Sequence, residues 1–211
     1  MMSSDADLPG ELVDAIADPS AIDAAVSLAE AGFDALLDDG LLRDLPVVGT
    51  LVSLARAGIA LRDRIFAKKV ARFLLEVSEV PEDERRTFQE ELGSNPGKRK
   101  ALGETLIVLL DRIDDFEKAR LLAKSFVALL QKRISEVEFH RICRAIDRVI
   151  LAADIRSLAN WPTAVPRIPQ EIGVSLSAAG LLELNSDTLY VGGTRDYRKT
   201  RIGELAAGIL V

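Results

Sequence analysis

One cysteine and one histidine in 211 residues leave little from which to build a metal centre or a redox pair. Cys143 cannot close an intramolecular disulfide, so the fold needs no covalent staple and fits a reducing compartment. Aromatic residues make up only 5% of the chain, so its core must come from Leu, Ile, Val and Ala, a composition suited to packed helices. Residues 1–20 lack a basic start followed by an apolar run of signal-peptide length. The expected location is therefore the cytoplasm, with the periphery of the inner membrane as the alternative.

Long apolar runs are also missing. The most apolar window, Leu45 to Leu61, has seventeen residues and contains Arg56, whereas a spanning helix needs about 20 apolar residues. An arginine near the bilayer centre costs about 2.5 to 3.5 kcal/mol, which argues against spanning. There is no P-loop, dinucleotide-binding glycine pattern, zincin motif or nucleophile elbow. The sequence offers no catalytic, cofactor-binding or metal-ligating set, and a non-enzymatic protein without cofactors is expected.

Charge is the most uneven feature. Residues 1–45 contain eleven acids against Arg43 alone, whereas residues 46–75 contain six bases against Asp63 alone. An acidic arm thus precedes a basic helix. Arg62, Arg64, Lys68, Lys69 and Arg72 form a candidate polyanion-contacting surface on that helix, and the bland alternative is a solvated basic face.

Helical periodicity and its breakers organise the rest. A helix is expected from about 19 to 38, with the first dozen residues frayed. Val52, Ile59, Phe66 and Phe73 recur every seven residues and predict one long helix over 46–77, with Gly58 as a place to bend. Small residues Gly49, Ser53 and Ala57 on it would allow close approach of a second helix. Pro81 with Glu82, Asp83 and Glu84 signals a helix start and Gly93 a stop. Ser94 to Gly97 reads as a turn, followed by a stripe of Leu102, Leu106, Leu109, Leu110 and Ile113. Asp114 or Asp115 should cap the next helix, and Ser135-Glu136-Val137-Glu138 matches a capping box opening a helix to about Leu158.

Three prolines between Trp161 and Pro169 predict an extended linker. Beyond it the pattern gives a short helix from Glu171 to Ala179 and strands at Leu181–Leu184 and Leu189–Val191. Thr200 should cap a last helix. The expected fold is mainly α: an acidic arm (1–45), a multi-helix bundle (46–160), a proline-rich linker (161–169) and a small α+β appendage (170–211).

Two clusters could carry chemistry. His140, Cys143 and Asp147 fall at i, i+3 and i+7 of one helix, and Asp111, Asp114, Asp115 and Glu117 gather at a helix junction. A Cys-His nucleophile needs an oxyanion pocket, and a metal site would need further ligands. The carboxylates are matched by Arg112, Lys118 and Arg120. Both clusters read better as structural.

The run Ala178-Ala179-Gly180-Leu181-Leu182-Glu183-Leu184, with Tyr190, Tyr197 and Thr200-Arg201-Ile202-Gly203-Glu204-Leu205, resembles the closing half of a winged-helix module. That resemblance implies a helix, a hairpin wing and a threonine-capped helix. It would also imply DNA binding, but Glu171 to Leu184 contains no Arg or Lys to meet phosphates or base edges. The wider plan, a glycine-bearing amphipathic helix, a helical middle and a hairpin tail, is similar to bacterial abortive-infection proteins of the alpha type. This resemblance implies a part in phage defence without naming a chemistry. The expected partner is a protein, either another chain or a second copy. The alternatives are a winged-helix DNA-binding regulator and a peripheral membrane effector restrained by the acidic arm, which would meet nucleic acid or an anionic membrane respectively.

Overall fold

The computed structural model describes residues 7–31, 61–159, 161, 169–185 and 197–211. They form ten helices and one two-stranded sheet: α1 (Leu8–Ala17), α2 (Pro19–Ala31), α3 (Leu61–Ser78), α4 (Glu82–Gly93), α5 (Pro96–Arg112), α6 (Phe116–Leu130), α7 (Glu136–Arg148), α8 (Ala152–Arg156), α9 (Gln170–Ala178), β1 (Leu182–Leu184), β2 (Tyr197–Lys199) and α10 (Arg201–Leu210). The architecture is mainly α with a small antiparallel sheet near the C-terminus. The chain divides into two compact units, Met1–Ala123 and Lys124–Val211. That division falls inside α6.

In the first unit α1 packs against α4 and α5, α2 against α3, and α3 against α5. Its core includes Leu12, Ile16, Phe73, Leu74, Leu106 and Leu110. The expectation that the first dozen residues fray is corrected from Leu8 onward, where α1 begins, and residues 1–6 lie outside the described residues. Asp7 caps α1 by accepting from the Gly10 amide at 3.2 Å, and Leu12, Val13, Ala15 and Ile16 are buried. The capping aspartate and the spacing of these apolar residues are both present in the sequence. Gly103 of α5 lies where a β-carbon would overlap the Pro9 carbonyl, so a glycine is what lets α5 meet the backbone of α1.

Of the long helix expected over 46–77, the described part is α3. Val52, Ile59 and the small-residue row Gly49, Ser53 and Ala57 lie outside the described residues. On α3 the buried face is Ala67, Val70, Ala71, Phe73, Leu74 and Val77, while Phe66 is only half-buried. Asn95, expected in a turn, is the N-cap of α5. Its side chain accepts from the Lys98 amide at 3.1 Å, so Pro96 and Gly97 already belong to the helix.

The second unit is built around Phe126, Phe139, Ile142, Ile146, Ile155 and Leu176, with the rings of Phe126 and Phe139 edge to face at 6.2 Å. The capping box at Ser135 and Glu138 forms as expected. The helix it opens stops at Arg148, not near Leu158. Val149 turns extended, two β-branched residues follow one another, and the Ile150 amide donates to the Ser175 hydroxyl at 3.5 Å.

The hairpin differs from expectation in one strand. β1 pairs with β2, Leu182 opposite Lys199 and Leu184 opposite Tyr197, whereas Leu189–Val191 lies outside the described residues. Local pattern marks Tyr197 and Lys199 only as residues flanking the last helix, because it does not reveal the strand they pair with.

Candidate functional site

The basic residues of α3 do not form one free surface. Lys69 is buried at 6% exposure, and its ammonium donates to the carbonyls of Leu110 at 3.0 Å and Asp111 at 3.2 Å. It closes the C-terminal end of α5, where unpaired carbonyls and the helix dipole favour a cation. Lys68 and Arg72 are half-buried, and the side chains of Arg62 and Arg64 lie outside the described residues. Lys69 is therefore removed from the expected polyanion surface.

The same device recurs. Arg85, also buried, donates from Nε to Val80 O at 3.1 Å and from Nη1 to Ile16 O at 3.0 Å, holding the last turn of α1. Lys124 reaches Leu210 O at the end of α10 at 3.4 Å. In sequence these cations are indistinguishable from surface charge. Their clue is only a basic residue amid an apolar stripe, which a snorkelling side chain also produces.

Neither reactive cluster assembles. Cys143 is buried with its thiol 3.8 Å from the Ser125 hydroxyl, and burial pushes that thiol up to about 12. His140 is exposed, with its ring 5.6 Å from that of Phe139. The thiol thus faces the core and the imidazole faces solvent.

At the second cluster the acids have separate tasks. Asp114 takes the buried Lys118 ammonium at 2.9 Å, a hydrogen bond that holds its carboxyl below the usual range. Asp115 accepts from the Glu117 amide at 2.8 Å to start α6, and Glu117 binds the Arg120 guanidinium at 2.6 Å. Among the described residues no group of three or more His, Cys, Asp or Glu could hold a metal ion.

The C-terminal segment gives the helix, hairpin and threonine-capped helix order. Gly180 adopts φ +81° after α9, a left-handed position that closes the helix end. Thr200 donates its hydroxyl to Gly180 O at 2.8 Å and its amide to Leu181 O at 3.0 Å, while its oxygen accepts from the Gly203 amide at 3.0 Å. Trp161 donates from Nε1 to Tyr197 O at 2.7 Å, and Gly173 leaves room for the Tyr197 ring. Glu183 and Arg198, directly opposite across the strands, pair at 2.8 Å. The helix before the hairpin, α9, has Glu171 as its only charged residue.

What stands out to solvent is the α7–α8 turn. Ile150 is 74% exposed and Leu151 59%, and the Ile150 amide is tied to Ser175, beside the exposed Val174 of α9. In sequence both residues continue an apolar helix stripe, so no local signal marks them as exposed.

No helix among the described residues is long and apolar enough to cross a membrane. Comparisons with protein-family models, with curated proteins and with solved structures gave no match.

Proposed function

We propose that this chain is a non-enzymatic, cytoplasmic interaction protein that presents the α7–α8 turn to another protein, with bacterial defence against phage as its setting. The observation that carries this reading is the adjacent exposed pair Ile150 and Leu151, held in place by the Ile150–Ser175 hydrogen bond. Two neighbouring aliphatic side chains in water are energetically unfavourable, and a partner's apolar surface would relieve that cost. The structural employment of Cys143, Asp114, Asp115 and Glu117 supports a binding role over a chemical one. The defence setting rests on architectural resemblance alone.

The test is a photo-crosslinking residue at Ala153, exposed on α8 beside the pair, in the host with and without phage challenge. A discrete crosslinked species that disappears in the Ile150→Asp, Leu151→Asp double variant is expected. A crosslinking pattern unchanged by the double variant would remove the turn as the binding surface.

A winged-helix DNA-binding regulator is the second reading, favoured by the order α9, β1, β2, α10 with Thr200 capping the last helix. Against it, α9 offers no base to DNA. Membrane action through the basic helix finds less support, because the apolar face of α3 is buried.

A further inference from the structure

The outward face of α7 carries three arginines. Arg141, Arg144 and Arg148 fall at i, i+3 and i+7, spacings that place them on one side of a helix, and all three are exposed. The opposite side, Phe139, Ile142, Cys143, Ala145 and Ile146, is buried, so the arginine row is fixed in direction by the core beneath it. The acids of α7 border this row: Glu138, three residues before Arg141, is bound to Ser135 and to Arg201 at 2.8 Å, and Asp147, three residues after Arg144, is half-buried. The surrounding unit, residues 124–211, contains twelve basic against nine acidic residues, a net of +3, within a chain of net −6.

We infer that this arginine row binds the phosphate backbone of double-stranded nucleic acid without reading its sequence. Seven residues of helix at 1.5 Å each span about 10 Å, which covers roughly three phosphate steps at the 3.4 Å rise of one strand. Guanidinium groups match phosphate oxygens in a two-pronged geometry, and a rigid helix loses little freedom in presenting them. The row itself has no aromatic side chain on which unpaired bases could stack, which favours a duplex over a single strand. The apolar side of α7 is committed to the core, leaving no amphipathic face for a bilayer. Sequence independence follows because the row would meet phosphates, and α9 carries no base with which to add a reading interaction. Arg148 borders the α7–α8 turn, but the inference does not rest on a protein binding there.

The experiment is fluorescence anisotropy of the full chain with a labelled duplex of about 30 base pairs and mixed sequence, between about 50 and 200 mM salt. Binding should weaken linearly on logarithmic axes. The triple variant Arg141→Gln, Arg144→Gln, Arg148→Gln, which keeps long helix-favouring side chains, should lower the slope by about 2.7, about 0.9 for each phosphate no longer neutralised. Should the triple variant melt early, each single variant should still lower the slope by about 0.9. Absence of duplex binding at the lowest salt, or an unchanged slope in a folded variant, overturns the proposal. Equal binding to poly-glutamate or to phosphatidylglycerol vesicles at the same charge concentration also overturns it, and assigns the row to an acidic polypeptide or a membrane.

Discussion

Leu181 and Gly203 meet backbone to backbone. A β-carbon on Gly203 would overlap the Leu181 carbonyl, the same carbonyl that receives the Thr200 amide. The first turn of α10 is thereby pressed onto the end of the α9 turn, which joins the hairpin to the last helix. Gly203→Ala should destabilise the protein by about 1 to 3 kcal/mol, because backbone cannot move aside as a side chain can. Gly208, in the same helix with open space around it, is the control. Gly208→Ala should gain about 0.5 to 1 kcal/mol, and denaturant melts of the pair should move in opposite directions.

Lys69 ties α3 to the end of α5 through two carbonyls. Lys69→Met keeps the buried stem but removes the charge-assisted hydrogen bonds, for an expected loss of about 1.5 to 3 kcal/mol. Urea unfolding monitored by circular dichroism measures it. A methionine variant as stable as the parent would mean that desolvating the ammonium offsets its hydrogen bonds.

Phe73 is fully buried and Phe66 only half-buried, although both lie on the seven-residue repeat that marks α3. Phe73→Ala should cost about 3 to 5 kcal/mol, and Phe66→Ala distinctly less. Equal losses in thermal melts would show that the half-exposed ring is as well packed as the buried one.

These cases show which physical information the sequence carries. Signals that act within four residues are legible: the Ser135–Glu138 box, Pro81 before α4, Gly93 at its end and Thr200 before α10. Signals that need a distant partner are not. The pairing of Leu182–Leu184 with Tyr197–Lys199 depends on how a twelve-residue connection closes, and Lys69 is a helix cap only because α5 ends beside it. The break at Val149 is hidden because Val149, Ile150 and Leu151 continue an apolar run, and the Ser175 hydroxyl that receives the Ile150 amide lies on another helix. The arginine row on α7 is legible as i, i+3, i+7 spacing, but the larger block of charge lies on α3, whose cations prove partly structural.

Glu138 accepts from the Ser135 amide and hydroxyl and from Arg201, and these bonds, the backbone amide first, hold its carboxyl at about 2 against an ordinary 4.5. A carboxyl lowered on folding stabilises the fold fully above its unfolded value. That contribution fades as the pH falls from about 4.5 and is lost on passing through about 2. Glu138→Gln should therefore melt below the parent at neutral pH, with the gap narrowing between pH 4.5 and about 2. A gap independent of pH would assign the effect to side-chain shape instead of charge.

Cys143 is buried beside Ser125, and loss of solvation raises its thiol from 9.0 to about 12 despite the hydroxyl's opposing hydrogen bond. The reacting species with disulfide reagents is the thiolate, which the raised thiol disfavours in the folded protein at about pH 8. Burial also blocks the approach of the reagent. The native chain should therefore leave an aromatic disulfide reagent at that pH almost unconsumed, while the same chain in denaturant releases one equivalent of thiol at once. Ser125→Ala removes the hydrogen bond that favours the thiolate, so it should slow the native reaction further unless it loosens the core. A native protein that reacts as fast as the unfolded one would place Cys143 at a surface and reopen its pairing with His140.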